Sequence, residues 1–379
     1  MTYNDDTPAA ISRTSSARGA GHSRLDLTQD VALLTAAVID IESLSGHEAA
    51  LADAVEDALR ALPHLEVTRN GDSIVARTSL GRAERIILAG HLDTVPLPTV
   101  AGSRGTVPCS WDGGMLYGRG ATDMKGGVAV QLAIAATVPE PNKDITFIFY
   151  DHEEVAAAKS GLGRLERENR ELLDADFGIL LEPTNGTVEG GCNGTIRFEV
   201  TTRGLAAHSA RAWMGENAIH AAAPILARLA AYAPSTVNVD GLDYRESLNA
   251  VKIHGGTAGN VIPDACVVEV NYRFAPDKTP AQAEERVREL LAGFEMVRTD
   301  SSAGARPGLN VPAAASFVAT VGKEPLPKYG WTDVARLSEM GIPAVNFGPG
   351  DPLLAHSDNE HVLAADIRAC LDVLTRWLK

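Results

Sequence analysis

Five segments of the chain carry side chains able to bind a metal or move a proton. They are Gly90-His91-Leu92-Asp93, Asp123-Met124-Lys125-Gly126-Gly127, Glu153-Glu154, Glu182-Pro183 and His356. Carboxylates mixed with imidazoles are the donor set of a hydrolytic metal site, where a bound ion polarises a carbonyl and acidifies water. Two ions need a ligand they can share, and Asp123 suits that place because each carboxylate oxygen can face a different ion. His91 and His356 supply one nitrogen ligand each, and Glu154 and Glu182 complete the two sets. Asp93, two residues beyond His91, is placed to hold the far ring nitrogen and fix its tautomer. Adjacent residues of a strand point to opposite sides, so Glu153 and Glu154 divide the work. Glu154 takes the metal and Glu153 the incoming water, as general base and then acid.

Taken singly, each segment has a plainer reading. Gly-His-x-Asp is an ordinary turn, Asp123 a helix cap or partner of Lys125, and Glu153-Glu154 the first turn of a helix. Their order along the chain favours the metal site, because each follows an apolar or glycine-rich run. Ile86–Ala89, Ile145–Tyr150 and Phe177–Leu181 read as buried strands ending at His91, Glu153-Glu154 and Glu182. Met115-Leu116-Tyr117 leads through Gly118-Arg119-Gly120 to Asp123, with a helix from about Gly127 to Ala136. Four strand ends with polar residues predict a mainly parallel sheet flanked by helices, with the site outside the carboxyl ends. Helices are also predicted from Asp26 to Ile41 and from Glu48 to Leu62, and a hairpin around Asn70-Gly71.

The pattern changes after Gly190-Gly191. Strands at Thr195–Thr202, Leu248–His254 and Cys266–Phe274, one long helix over Glu216–Tyr232 and another over Pro280–Leu291 predict a small inserted α+β unit. Asp300–Gly308 reads as the linker returning to the first domain, which His356 must rejoin. The fold class is therefore α/β with an inserted α+β domain: 25–191 and 305–379 form the catalytic part and 192–304 the insert. Residues 1–24, small and polar, are expected to be an unfolded tail.

Composition excludes several alternatives. With 49 acidic and 34 basic residues among 379, net charge is -15, unsuited to nucleic acid. No apolar run reaches membrane-spanning length, and the N-terminus lacks a signal-type apolar core, so a cytoplasmic protein is expected. Cys109, Cys192, Cys266 and Cys370 form no C-x-x-C pair and read as reduced thiols. There is no Gly-x-Ser-x-Gly elbow, Walker sequence or His-Glu-x-x-His.

From Leu25 onward the sequence resembles the M20 family of cocatalytic zinc amidohydrolases, in particular its actinobacterial succinyl-diaminopimelate desuccinylase branch. The resemblance rests on Gly90-His91-Leu92-Asp93-Thr94-Val95-Pro96, Gly118-Arg119-Gly120-Ala121-Thr122-Asp123-Met124-Lys125-Gly126-Gly127, Glu153-Glu154 and Leu181-Glu182-Pro183-Thr184. It implies a zinc-exopeptidase-like catalytic domain with a ferredoxin-like insert that dimerises and forms a lid. It also implies two zinc ions; the mixed carboxylate and imidazole ligation suits zinc, and cobalt or manganese could occupy one position. His91 with Glu182 would hold one, Glu154 with His356 the other, and Asp123 would bridge. A cis peptide at Asp123-Met124 is implied too.

By the same resemblance His208, in Gly204-Leu205-Ala206-Ala207-His208-Ser209, would stabilise the oxyanion in the partner subunit's site. Asn260 and Arg273 would recognise a substrate carboxylate, and Thr332 would lie on a substrate-binding loop. Cys192-Asn193 stands where better-known desuccinylases carry basic residues, so carboxylate binding must differ locally. The implied substrate is a small N-acyl amino acid and the implied reaction is hydrolysis of N-succinyl-LL-2,6-diaminopimelate. Another deacylase of the family, such as one acting on acetylornithine, a metallopeptidase and an inactive dimeric amino-acid-binding protein are the alternatives.

Overall fold

Apolar runs with no polar face need cover on both sides, and the structure supplies it. In this computed structural model, which describes residues 25–379, Ile86–His91, Asp144–Tyr150 and Phe177–Leu180 are entirely buried. The expected tail lies outside the described residues. Ile86 and Leu88 pack into one core with the helices Val31–Ile39, Ala49–Arg60, Lys125–Thr137 and Ala364–Leu378, whereas Ile87 and Ala89 pack into a second with Gly161–Glu168 and Val334–Glu339. The period of two along a strand thus sends alternate residues to opposite layers.

The sheet has eight strands, in the order Glu66–Asn70, Ser73–Arg77, Asp144–Tyr150, Arg85–His91, Phe177–Leu180, Ala344–Asn346, Glu189–Gly190 and Leu326–Pro327. Its four central strands run parallel, with antiparallel pairings on either side. His91, Glu153-Glu154 and Glu182 therefore emerge at one edge. Asp123 does not come from this sheet, as the four-strand-end reading supposed. Met115–Tyr117 belongs to a separate three-stranded sheet with Ser110–Asp112 and His361–Leu363. That small sheet brings the segment after His356 beside the loop carrying Asp123.

In the 192–304 stretch, four antiparallel strands lie in the order Ser247–Gly255, Ala265–Phe274, Gly194–Arg203 and Glu295–Ser302. Ile196, Phe198, Val268 and Val270 face Ile225, Leu229, Ala283 and Val287 of the helices in a third core. Two expectations are corrected. The predicted single helix divides into Ala218–Ala221 and Ala223–Ala230, because Pro224 offers no N–H to continue the ladder. Part of the supposed linker, Asp300–Ser302, ends an edge strand whose mostly polar, partly exposed residues give little apolar alternation. The chain's exit then runs beside its entry: Cys192 and Ala305 exchange both backbone hydrogen bonds at 3.0 Å.

Asp151 braces the turn that delivers Glu153-Glu154. Its buried carboxylate accepts from Ser73 Oγ, from Arg164 at 2.6 and 3.1 Å, and from His152 Nδ1 at 2.7 Å. Burial raises its pKa, but the bonds from Arg164, Ser73 and His152 outweigh that and hold it below the usual carboxylate value. A depressed folded pKa means stabilisation that is present above the unfolded value, roughly 3.9, and lost as pH falls through the folded value. Asp151→Asn is thus expected to cost about 3 kcal/mol at pH 7, the low end for a broken buried pair. Urea denaturation at pH 7 and pH 3 should show the deficit shrinking in acid; a deficit independent of pH would contradict the ion pair.

Candidate metal centre

The last residue of the strand Arg85–His91 provides the first imidazole. Its Nδ1 donates to the backbone carbonyl of Asp93 at 2.9 Å, which turns Nε2 to the cleft, where it donates to Asp123 while the ring is charged and would offer a lone pair once the ring is neutral. Nε2 lies 3.1 Å from Asp123 Oδ1. The other oxygen of Asp123, Oδ2, lies 3.4 Å from His356 Nε2, and Glu154 Oε1 is 2.8 Å from that same nitrogen. One carboxylate therefore spans two imidazoles. His91, Asp123 and Glu154 offer ligand atoms all within 4.8 Å of one another, a single cluster among the described residues able to hold an ion.

Local structure explains how Asp123 reaches this place. The Asp123-Met124 peptide is cis, as the resemblance implied. The backbone N–H groups of Thr122 and Asp123 both donate to Glu360 Oε1 at 3.0 Å, and Glu360 Oε2 accepts from buried Arg119 at 2.8 Å. Next, the helix Lys125–Thr137 packs its first turn against the segment leading to Glu182. A Cβ on Gly127 would stand 2.2 Å from the backbone oxygen of Leu181, so only glycine permits the approach. Lys125 is buried with its Nζ donating to Ile41 O at 2.8 Å, and burial draws its pKa down to about 7.

Asp93 departs from its expected contact. Its carboxylate oxygen is 3.6 Å from His91 Nδ1, too long for the bond that the backbone carbonyl already makes. Instead Oδ1 accepts the N–H of Glu153 at 2.9 Å, while Oδ2 accepts the N–H of Glu154 at 3.0 Å and Ser45 Oγ at 2.7 Å. Asp93 thus braces the backbone of the acidic pair.

The charges fit a cation. Burial works against a charged His91, but the hydrogen bond and charge of Asp123, with Glu182 and Asp93, hold its pKa well above the usual value. His356, bonded to Asp123 and Glu154, is raised to about 10. Glu182 is pushed up to about 8 by burial and then by the Asp123 charge, and burial also lifts Glu153 well above the carboxylate range. Asp123 stays low despite burial because His356 and His91 donate to it. Protons are thus drawn to positions where divalent ions would satisfy the same oxygens, and mixed nitrogen and oxygen donors suit zinc.

A cavity of about 550 Å³ adjoins the cluster, lined by Asp123, Glu153, Glu154, Glu182 and His356 and, on other sides, by Lys328 and Trp331. A second, of about 800 Å³, shares Glu153, Glu154 and His356 and extends beneath the open face of the four-stranded sheet to Arg273. Thr332 lines the smaller cavity, but its hydroxyl donates to Asn346 Oδ1 at 2.9 Å and is already occupied. His208 and Asn260 line neither cavity. They sit together elsewhere, with the N–H of Ser209 donating to Asn260 O at 2.9 Å and His208 opposite Val261. Sequence reasoning gave no role to Glu360 or Lys328; the position of Glu360, four residues after His356, was the available signal for the former.

Residues 87–379 match the model of peptidase family M20/M25/M40. The chain is 50% identical over 357 residues to a Mycobacterium tuberculosis protein provisionally named succinyl-diaminopimelate desuccinylase, covering 93% of this chain and 99% of that one. It is 44% identical to the succinyl-diaminopimelate desuccinylase of Corynebacterium glutamicum, covering 93% and 97%. Its fold matches that of an M20 family metallo-carboxypeptidase from Sulfolobus solfataricus with a TM-score of 0.75, at 16% identity, over 92% of this chain and 98% of that one.

Proposed function

The chain belongs to peptidase family M20/M25/M40 and is a metal-dependent amidohydrolase, and from that premise we propose that it hydrolyses N-succinyl-LL-2,6-diaminopimelate to succinate and LL-2,6-diaminopimelate. Such a reaction serves lysine and peptidoglycan precursor synthesis, in the cytoplasm. The observation that carries the hydrolytic reading is Asp123 spanning His91 and His356 beside half-buried Glu153. We assign one zinc to His91 and Glu182 and another to Glu154 and His356, with Asp123 shared; cobalt or manganese would suit one of the two positions. When bound, zinc would polarise the amide carbonyl and acidify water.

The protein's own groups do the rest. Glu153 accepts a proton from the attacking water as the new C–O bond forms, and returns it to the amide nitrogen as the tetrahedral adduct collapses and the C–N bond breaks. Asp93 keeps Glu153 aimed through its backbone N–H. His208, remote from this cleft within one chain, would act from a second copy. An edge strand Ser247–Gly255 with exposed Val251 and Ile253, beside exposed Ile219 and Leu226, supports a homodimer joined there. The paired crossing at Cys192 and Ala305 supports 25–191 and 305–379 as catalytic domain and 192–304 as lid, and the βαββαβ succession supports a ferredoxin-like insert.

Chelation followed by zinc repletion tests the reading on three substrates: N-succinyl-LL-diaminopimelate, N-acetylornithine and a dipeptide. Turnover of the first alone, lost on chelation and restored by zinc, is the expected result. Preference for acetylornithine or the dipeptide would transfer the protein to another activity of the family, and zinc-loaded protein without turnover would favour a binding protein.

A further inference from the structure

The four-stranded sheet has one face under helices and one face open. Along Gly194–Arg203, Ile196, Phe198 and Val200 are buried, so Arg197 and Glu199 must project from the opposite face. That face borders the larger cavity, whose lining holds Arg197 and Arg273 together with Glu153, Glu154 and His356. Register places the two arginines close: Arg197 stands opposite Asn271, and Arg273 opposite Thr195 on the adjacent strand. They are diagonal neighbours on one face, roughly 7–8 Å apart at their bases and within reach of a common ligand.

Two guanidiniums side by side repel each other and call for an anion. Burial draws the pKa of Arg273 down, and the charge of Arg197 adds to that. Arg273 spends only its Nε, on Asn271 Oδ1 at 3.2 Å, and no ion pair to it is formed among the described residues. Arg197 has Asp300 at 3.9 Å, the outer limit of an ion pair. Of the acids on this face, Glu269 is paired with Lys252 at 2.7 Å. Nor can Cys192 or Asn193 serve: the Cys192 thiol lies 3.7 Å from Thr332 O, and the Asn193 amide donates to Arg245 O at 2.9 Å.

We propose that Arg197, beside Arg273, binds the far carboxylate of the amino-acid portion of the substrate and so selects N-acyl amino acids that carry this second carboxylate. The planar fork of a guanidinium grips a carboxylate through two parallel bonds, which suits discrimination by presence or absence of that group. This assignment rests on the hydrolytic reading and names the part of the substrate that lies farthest from the cut bond.

Nα-succinyl-L-lysine differs from N-succinyl-LL-diaminopimelate by the far carboxylate alone, so the pair isolates the contact. Wild-type protein should prefer the diaminopimelate compound, and Arg197→Ala should reduce that preference about 10- to 100-fold, through KM, leaving kcat/KM for the lysine compound within about twofold. Arg197→Lys, which keeps the charge without the fork, should recover part of it. Equal losses on both compounds, or an unchanged preference, would overturn the proposal. Calorimetric binding of free LL-diaminopimelate and L-lysine to zinc-loaded wild type and Arg197→Ala separates this inference from the reaction. Tighter binding of diaminopimelate that needs Arg197, without hydrolysis of its succinyl derivative, would sink the reaction and keep the arginine. Hydrolysis with no such binding preference would do the reverse.

Discussion

Glu153→Ala should lose about 10²–10⁴ in kcat while retaining the wild-type metal content, the loss expected when a positioned acid–base group is removed. The separation of those two quantities follows from geometry. Glu153 borders both cavities but belongs neither to the cluster of His91, Asp123 and Glu154 nor to the His356 contacts. Its backbone is held by Asp93 Oδ1 at 2.9 Å, a bond that survives truncation of the side chain. Burial lifts its pKa far above that of a surface glutamate, with His91 opposing and the charges of Asp333, Glu182 and Glu154 adding to the rise. A base near neutrality is useful for taking a proton and giving it back, and cations bound next to it would bring the value down from that extreme. Glu153→Gln keeps the volume and removes only proton transfer, so it should fall about as far as the alanine variant. Metal analysis and kcat measured on the same preparations decide the matter. A fully loaded Glu153→Ala variant within tenfold of wild type would remove Glu153 from its role.

The strand ends were legible because burial leaves a simple mark. Ile86–Ala89, Ile145–Tyr150 and Phe177–Leu180 could only be covered on both faces, and the polar residue after each run had to lie at a sheet edge. What spacing could not convey was which atom of a residue does the work. Asp93 two residues after His91 is compatible with a side-chain or a backbone contact to the ring; the chain uses its carbonyl there and spends the carboxylate on two N–H groups 60 residues further on. The route of Asp123 was misread for a related reason. Met115–Tyr117 has the apolar look of a sheet strand, but its partners are His361–Leu363 and Ser110–Asp112, and pairing between distant segments leaves no local periodicity. Glu360 was passed over because a buried acid that accepts backbone N–H groups looks, in sequence, like any surface glutamate. Edge strands are similarly quiet: Arg298, Asp300 and Ser302 in Glu295–Ser302 resemble a loop until their pairing with Gly194–Arg203 is known.

Asp123→Ala should abolish metal binding and turnover together, the opposite signature to Glu153→Ala. Among the described residues Asp123 is the carboxylate whose two oxygens face both imidazoles, at 3.1 Å from His91 and 3.4 Å from His356. Both donate to it strongly enough to keep it ionised despite burial, so it stands ready as an anion throughout the neutral range. Glu154 also lies within 4.8 Å of the His91 and Asp123 ligand atoms, but its Oε1 is taken up by His356 at 2.8 Å, so the contact to both rings rests on the two oxygens of Asp123. Loss of a residue that merely orients a ligand typically costs 10–100-fold in metal affinity; loss of the shared ligand should exceed about 100-fold. The loop itself should survive, because Glu360 still accepts the N–H groups of residues 122 and 123 and pairs with Arg119. Chelator competition would therefore report the affinity change in a folded protein, with circular dichroism and thermal melting of the metal-free forms as the control. Asp123→Asn sharpens the test: its amide offers one oxygen and an NH2 group that only donates, so it can serve one ion but not two, and a stoichiometry nearer one is expected. An alanine variant that holds metal with native affinity and stoichiometry would show that the two halves of the cluster do not depend on a common carboxylate, and the shared-ion arrangement would have to be given up.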